Sequence, residues 1–164
     1  MNIAMDMEND LKLKELHWRL RAKVENFLNK LKHLEISAGI FSGWRTWTEQ
    51  ERLYQQGRTE PGNIVTYAKP GDSLHNYGLA CDVWPRTPEG NWNFKATDEE
   101  MNLLGTIGKG FGLHWGGDYD GFPDKAHFYV NAGHQTSDLK KIYESEGLAG
   151  VWNHIDAVNQ PPRV

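Results

Sequence analysis

The sequence predicts an α+β fold in which helices lie around a small, mainly antiparallel sheet. Three observations support it: an apolar stripe at helical spacing near the N-terminus, strand-like alternation in two short segments, and two capping boxes that open further helices. At 164 residues the chain is expected to form one domain, 1–164, with a substantial core. We expect its main body at about 10–131 and a C-terminal helical extension at about 136–160.

The N-terminal region is predicted to be helical over residues 10–34, where leucine and phenylalanine recur every three or four positions between charged residues. Residues 36–44 are predicted to form a strand. A capping box, Thr48-x2-Glu51, then predicts a short helix that Gly57 can end.

Alternation in residues 78–83 predicts a strand with two unlike faces. The apolar, core-facing row consists of Leu79, Cys81 and Val83. The opposite face carries Gly78, Ala80 and Asp82, and two of these have almost no side chain. This face therefore leaves space beside the Asp82 carboxylate for a metal and a ligand.

The C-terminal half is predicted to begin with a second capping box, Thr97-x2-Glu100, which opens a helix. The inward residues of this helix are Met101, Leu104 and Ile107. A glycine-rich loop and a final strand follow in residues 112–131, with His127 and Tyr129 on the face opposite Phe128 and Val130. Two short helices are expected at residues 137–146 and about 148–158.

Two short motifs supply the ligands of one metal site if they meet in space. The first is Ser-x-His75-x2-Gly-x-Ala-x-Asp82, and the second is Asp124-x2-His127 on an aromatic strand. A catalytic zinc typically takes three nitrogen or oxygen ligands from the protein, and a separate acid/base handles the proton of the attacking water. His-x6-Asp spacing alone is common, so the prediction depends on the joint pattern.

At these motifs the chain resembles the peptidoglycan-cleaving zinc peptidases of the D-alanyl-D-alanine carboxypeptidase/VanY type. Within them it is most similar to the L-alanyl-D-glutamate endopeptidases of phage endolysins and bacteria. The resemblance covers about residues 10–131 and includes the segments 16–21, 42–46, 49–54, 57–59, 61–66, 70–73 and 115–118.

The resemblance implies a hedgehog/DD-peptidase-like fold, a single zinc peptidase domain and one Zn²⁺ per chain. It implies that His75, Asp82 and His127 bind the zinc, that Asp124 is the general base, and that Arg45 is the cleft arginine. The arginine could hold a substrate carboxylate or stabilise a developing oxyanion, with a structural salt bridge as the alternative.

Two further residues are candidates for substrate binding. Ser73 could hydrogen-bond the substrate, with the capping of a turn as the alternative, and Trp115 could line the cleft. The chain also departs from the endopeptidase pattern at two positions. Tyr119 stands where that branch often has tryptophan, and Tyr129 where a polar or acidic residue often occurs.

The implied activity is hydrolysis of the L-alanyl-D-glutamate bond in peptidoglycan stem peptides, as in endolysins. A D-alanyl-D-alanine carboxypeptidase or dipeptidase of the same family is an alternative, because both share the zinc chemistry. A non-catalytic zinc-binding or peptidoglycan-binding module is a second alternative, against which the presence of Asp124 argues.

Composition bounds the setting of the protein. A net charge of -4 without a basic stripe argues against nucleic-acid binding, and the chain has no apolar run of membrane-spanning length. The single cysteine, Cys81, excludes an intramolecular disulfide and is expected to be buried. The sequence shows no signal-peptide pattern, so we expect a protein that is made in the cytoplasm and reaches the cell wall by phage-lysis-type release. We also expect a monomer.

Overall fold

The computed structural model describes residues 3–131 and 133–158. The chain divides into two compact units. The first unit comprises Met1–Trp44 and Gly78–Val130, and the second comprises Arg45–Tyr77 and Asn131–Val164. Within the described ranges, no helix is long and apolar enough to cross a membrane.

The described residues form five α-helices and four short strands. In chain order they are α1 (Ile3–Lys14), α2 (Trp18–His33), β1 (Ala38–Ser42), α3 (Trp47–Gln55), β2 (Ala80–Pro85), α4 (Asp98–Gly110), β3 (His114–Trp115), β4 (His127–Tyr129) and α5 (Thr136–Val158). The strands form one antiparallel sheet in the order β1-β2-β4-β3. The predicted α+β class with a small antiparallel sheet is confirmed.

The prediction of one helix over residues 10–34 is wrong in one respect, because two helices, α1 and α2, occupy this region. His17 causes the break: its Nδ1 accepts a hydrogen bond from the Arg19 N–H at 3.3 Å and caps α2. Its own N–H donates to the Gly78 carbonyl at 2.9 Å instead of continuing a helix. The apolar stripe is nevertheless buried as expected, and the Phe27 ring lies 5.1 Å from that of Phe128 in the core of the first unit.

The predicted capping box of α3 is also wrong, by two residues. Thr46, with an extended backbone (φ -65°, ψ 159°), is the N-cap, and its hydroxyl accepts from the Glu49 N–H at 3.1 Å. The Glu49 carboxylate accepts from the Thr46 N–H at 2.8 Å, and these bonds to Thr46 lower the pKa of Glu49. Thr48 lies inside the first turn. Gly57, at φ 75°, follows the end of the helix as predicted.

The second capping box occurs where it was predicted. The Thr97 hydroxyl accepts from the Glu100 N–H at 3.2 Å, and the Glu100 carboxylate accepts from the Thr97 N–H at 2.7 Å. The helix that follows, α4, buries Met101 and Leu104, and Ile107 is half-buried.

The sheet has the two faces that the alternation predicts. Leu79, Cys81 and Val83 are fully buried on the core face, and on the opposite face Gly78 and Ala80 are buried too while Asp82 is half-buried. Burial raises the pKa of the Cys81 thiol, which keeps it protonated and unreactive. The predicted role of this cysteine as a small buried residue is therefore confirmed.

Helix α4 approaches the sheet closely through two glycines. A Cβ at Gly105 would lie 2.4 Å from the Trp115 ring, and one at Gly108 would lie 2.5 Å from the Phe128 ring. Both rings are enclosed, with Trp115 8% and Phe128 0% exposed, so neither can move aside without disturbing the core.

Gly108→Ala is therefore expected to destabilise the protein by about 1–3 kcal/mol, the usual cost of overpacking. Gly110→Ala is the matched control, because a Cβ at this position in the same helix meets nothing within 4 Å. We expect Gly110→Ala to be neutral or slightly stabilising, since alanine favours helix more than glycine does. Urea unfolding of the two variants measures the difference, and equal free energies of unfolding would contradict the packing described.

The second unit contains α3 and α5. Helix α5 is interrupted at Gly147 (φ 71°, ψ -171°), so its residues form two helical segments that agree with the two predicted from the sequence. The Trp152 indole N–H donates to the Tyr77 carbonyl at 2.8 Å, and the Trp47 ring stacks on Tyr143 at 4.8 Å. The division of 1–164 into a catalytic core and an extension stays a prediction.

Candidate metal centre

Asp82 and His127 lie side by side on adjacent strands. The register of β2 and β4 pairs the two residues directly, so their side chains share one face of the sheet. The His127 Nδ1 lies 3.3 Å from the Asp82 Oδ1. Both side chains are largely enclosed, with 14% and 17% exposure, which limits the competition of solvent for these atoms.

His75 lies in a 3₁₀ turn, Leu74–Tyr77, which precedes β2 in the chain. The turn is fixed at its start because the Ser73 hydroxyl accepts a hydrogen bond from the His75 N–H at 3.3 Å. The His75 carbonyl accepts from the Arg45 N–H at 3.0 Å. The imidazole is 3% exposed, so its position is set by the fold.

The two predicted motifs supply one group of potential metal ligands. His75, Asp82 and His127 each offer one ligand atom, and these atoms lie within 4.8 Å of one another. Two ligands of a tetrahedral zinc, each bound at about 2.0–2.1 Å, lie roughly 3.3–3.4 Å apart. The 3.3 Å between His127 and Asp82 matches this spacing. Two imidazoles and a carboxylate are also the donors of known catalytic zinc sites, so the residues fit the ion.

Asp124 lies in the turn that leads into β4. Its carbonyl accepts from the His127 N–H at 3.2 Å, and its own N–H donates to the Gly116 carbonyl at 2.9 Å. A Cβ at Gly116 would lie 2.5 Å from the Asp124 carbonyl oxygen and 3.0 Å from the His127 Cβ. Only glycine therefore allows this close turn. Asp124 is exposed, and it is not one of the three grouped ligands.

Two tyrosines line the same region, at the positions that depart from the endopeptidase pattern. The Tyr119 and Tyr129 rings lie 6.3 and 5.5 Å from the His127 ring. Burial, a hydrogen bond with Tyr129 and the negative charges of Asp124 and Asp82 raise the pKa of Tyr119. Tyr119 therefore stays a neutral phenol beside the two carboxylates.

Arg45 is held by a residue that the sequence reasoning missed. Its Nη1 donates to the Gln50 Oε1 at 2.9 Å, and its carbonyl accepts from the Asn76 Nδ2 at 2.9 Å. Gln50 is fully buried, and its Nε2 also donates to the Ala68 carbonyl at 2.8 Å. The sequence did offer a signal for this contact: Gln50 follows Arg45 by five residues and lies on the inner side of the short helix α3.

The two predicted substrate-binding residues have clear structural tasks. Ser73 caps the turn that carries His75, which was the alternative considered from the sequence. Trp115 packs against α4, and its indole N–H donates to the Lys125 carbonyl at 2.8 Å. A role of either residue in substrate binding stays a prediction.

Comparison with known proteins agrees with these motifs. Residues 66–130 match the family model described as D-alanyl-D-alanine carboxypeptidase, and this segment contains all three potential ligands and Asp124. The chain is 43% identical over 102 residues to the peptidoglycan L-alanyl-D-glutamate endopeptidase CwlK of Bacillus subtilis. That match covers 56% of this chain and 59% of CwlK, so the chain spans less than two thirds of this relative.

Solved structures share the fold. The L-Ala D-Glu endopeptidase ChiX of Serratia marcescens superposes with a TM-score of 0.56 at 18% identity, covering 75% of this chain and 86% of ChiX. The D,D-pentapeptidase VanY of a VanB-type resistance cassette, solved with Zn(II), has a TM-score of 0.53 at 16% identity, covering 77% of this chain and 78% of VanY. The match of residues 66–130 to the model described as D-alanyl-D-alanine carboxypeptidase, together with the similarity to CwlK, confirms the resemblance inferred from the motifs.

Proposed function

We propose that this protein is a zinc-dependent peptidoglycan peptidase that hydrolyses the L-alanyl-D-glutamate bond of stem peptides. The observation that carries the proposal is the grouping of His75, Asp82 and His127 within 4.8 Å. The identity to CwlK, an enzyme named for this bond, supports the choice of substrate. Release by phage-type lysis and a monomeric state stay predictions.

In the proposed enzyme, His75, Asp82 and His127 would hold one zinc ion. When bound, zinc supplies a Lewis acid that polarises the scissile carbonyl and makes water nucleophilic at neutral pH. The direct pairing of Asp82 with His127 in the sheet register would keep two ligands in place before the ion binds.

Asp124 is proposed as the general base. Its carboxylate takes a proton from the attacking water and later delivers it to the leaving amine, so that the peptide bond breaks into an acid and an amine. The hydrogen bonds of its backbone to Gly116 and His127 fix the turn from which the carboxylate projects.

Arg45 is proposed to bind a carboxylate of the substrate or the developing oxyanion. A guanidinium forms strong, charge-assisted hydrogen bonds with either group. Gln50 acts as a positioning residue, because its Oε1 accepts a hydrogen bond from the Arg45 Nη1 and so orients the guanidinium.

Gln50→Ala is expected to lower kcat/KM about 10-fold through a higher KM, because Arg45 loses the partner that orients it. Gln55→Ala is the matched control in the same helix, since the Gln55 amide contacts the Glu51 carboxylate. Steady-state kinetics on a stem peptide measure the effect. A fall in kcat alone would indicate that Arg45 acts on the developing oxyanion and not on a substrate carboxylate. Equal effects of the two substitutions would contradict the positioning role.

A D-alanyl-D-alanine carboxypeptidase is the second candidate, because the matching family model bears that description. Mass spectrometry of the products from a defined stem pentapeptide separates the two. An L-alanyl-D-glutamate endopeptidase yields L-alanine and a peptide that begins with D-glutamate. Free D-alanine as the sole product would establish the carboxypeptidase, and no product from the zinc-loaded protein would favour a binding module.

A further inference from the structure

Four aromatic side chains of the first unit form a connected cluster outside the ligand group. The Phe41 ring forms T-shaped pairs with the Trp92 and Phe94 rings, with centroids 5.3 and 5.7 Å apart, and the centroid of the Trp84 ring lies 5.9 Å from that of Phe94. We call these four residues the aromatic cluster. Phe41 is 43% and Phe94 65% exposed, so the cluster presents apolar surface to solvent. Contiguous exposed apolar surface of this kind commonly marks a binding site.

The aromatic cluster is held rigidly by its own loop. The Trp84 indole N–H donates to the Asn93 carbonyl at 2.8 Å, and the Asn93 N–H donates to the Pro85 carbonyl at 2.9 Å. The Arg86 guanidinium lies 3.5 Å from the centroid of the Trp92 ring. A surface that is fixed before binding loses little conformational entropy when a ligand arrives.

The two cations that lie over the Trp92 ring, Lys12 and Arg86, have partners of their own. Glu8 pairs with Arg86, and it also accepts from the Lys12 ammonium at 2.9 Å. The Lys12 ammonium further donates to the carbonyls of Ile40 and Phe41. Because these cations already have anionic or carbonyl partners, the surface favours an uncharged ligand with an apolar face.

The position of the aromatic cluster links it to the candidate metal centre. Trp84 follows Asp82 by two residues in β2, so both side chains lie on the same face of the sheet, about 7 Å apart along the strand. The cluster extends from Trp84 through Phe94 to Phe41 on the adjacent edge strand. A substrate bound at Asp82 would need to extend by only one or two residue lengths to reach it.

We propose that the aromatic cluster is a subsite for the N-acetylmuramyl sugar that carries the stem peptide. The inference rests on the proposed function, because it assumes cleavage after the first stem residue. In that case one alanine and the lactyl ether separate the scissile bond from the sugar, roughly 7 Å at 3.3–3.6 Å per unit. The pyranose ring offers uncharged C–H faces that pack on aromatic rings, while its hydroxyl and acetamido groups stay in water.

The length of the spacer makes the subsite specific to this bond. Cleavage of the terminal D-alanyl-D-alanine bond would place three more residues, or about 10 Å, between the sugar and the scissile bond. The sugar would then lie beyond the aromatic cluster. The sugar can therefore reach the aromatic cluster when the L-alanyl-D-glutamate bond lies at the metal centre.

The test compares two substrates that differ only in the sugar: an N-acetylmuramyl stem tetrapeptide and the same tetrapeptide with an N-acetyl group. For the unmodified protein we expect a KM about 10-fold lower for the muramyl substrate, equivalent to about 1.4 kcal/mol. Phe94→Ser should remove this preference without changing the KM for the acetylated peptide. Leu103→Ser, at a residue that is 47% exposed and outside the cluster, is the matched control and should keep the preference.

A second measurement does not depend on catalysis. The indole N–H signals of Trp84 and Trp92 in NMR spectra should shift on titration with the GlcNAc–MurNAc disaccharide whose lactyl carboxyl is amidated, as it is in the substrate. Phe94→Ser should weaken that binding. Equal KM values for the two substrates, together with unshifted indole signals at millimolar disaccharide, would overturn the subsite. Shifted signals in a protein that cleaves no stem peptide would support the subsite and refute the proposed function.

Discussion

Replacing His75 by alanine is expected to remove both the bound zinc and the peptidase activity. His75 is one of three grouped ligands, and its loss leaves only Asp82 and His127. Changes to residues that merely support metal ligands cost about 10–100-fold in affinity, so the loss of a ligand should cost at least 100-fold. Metal analysis after dialysis, together with cleavage of a stem peptide, measures both effects.

His127→Ala should behave in the same way, whereas His33→Ala should change neither property. His33 is exposed at the end of α2, where its Nδ1 contacts the Asn29 carbonyl. Unchanged zinc content in both His75→Ala and His127→Ala would exclude the proposed site.

Replacing Asp124 by asparagine is expected to lower kcat by on the order of 10²–10⁴-fold while most of the zinc stays bound. Asparagine has nearly the same shape, so the turn that joins Gly116, Asp124 and His127 through backbone hydrogen bonds should persist. The amide cannot accept the proton of the attacking water. Single-turnover kinetics and metal analysis of the same preparation measure the effect.

Asp82→Asn provides the contrast for this experiment. Asp82 is a proposed ligand that lies 3.3 Å from His127, so the neutral amide should weaken zinc binding and should lower activity in proportion to the lost metal. Excess zinc should restore part of the activity of Asp82→Asn and none of that of Asp124→Asn. Identical behaviour of the two variants would show that the division between ligand and base is wrong.

The strands were predictable because they depend on local alternation, whereas the ligand set was predicted from the joint motif and its resemblance to known zinc peptidases. In residues 79–83 every second side chain is apolar, and this pattern alone assigns Cys81 to the core and Asp82 to the opposite face. The aromatic alternation around His127 gives the same information for β4. The histidines and carboxylates of the two motifs could then be compared with the donor set that a catalytic zinc requires.

The errors have a different physical origin. The break between α1 and α2 depends on the hydrogen bond from His17 to Gly78, which is remote in sequence and leaves no periodic signal. The cap of α3 was misplaced because two threonines precede glutamates at the same spacing, and only the backbone conformation of Thr46 selects between them. Gln50 was missed although it lies five residues after Arg45, because its burial and its contact with the Ala68 carbonyl arise only in the folded chain.

The most direct test of the account is a crystal structure of the zinc-loaded protein with diffraction data recorded on both sides of the zinc absorption edge. We expect one anomalous peak per chain, about 2.0–2.2 Å from one nitrogen each of His75 and His127 and from a carboxylate oxygen of Asp82. The Asp124 carboxylate should lie outside this coordination sphere. Zinc bound elsewhere in the chain, or bound by Asp124 in place of Asp82, would contradict the assignment.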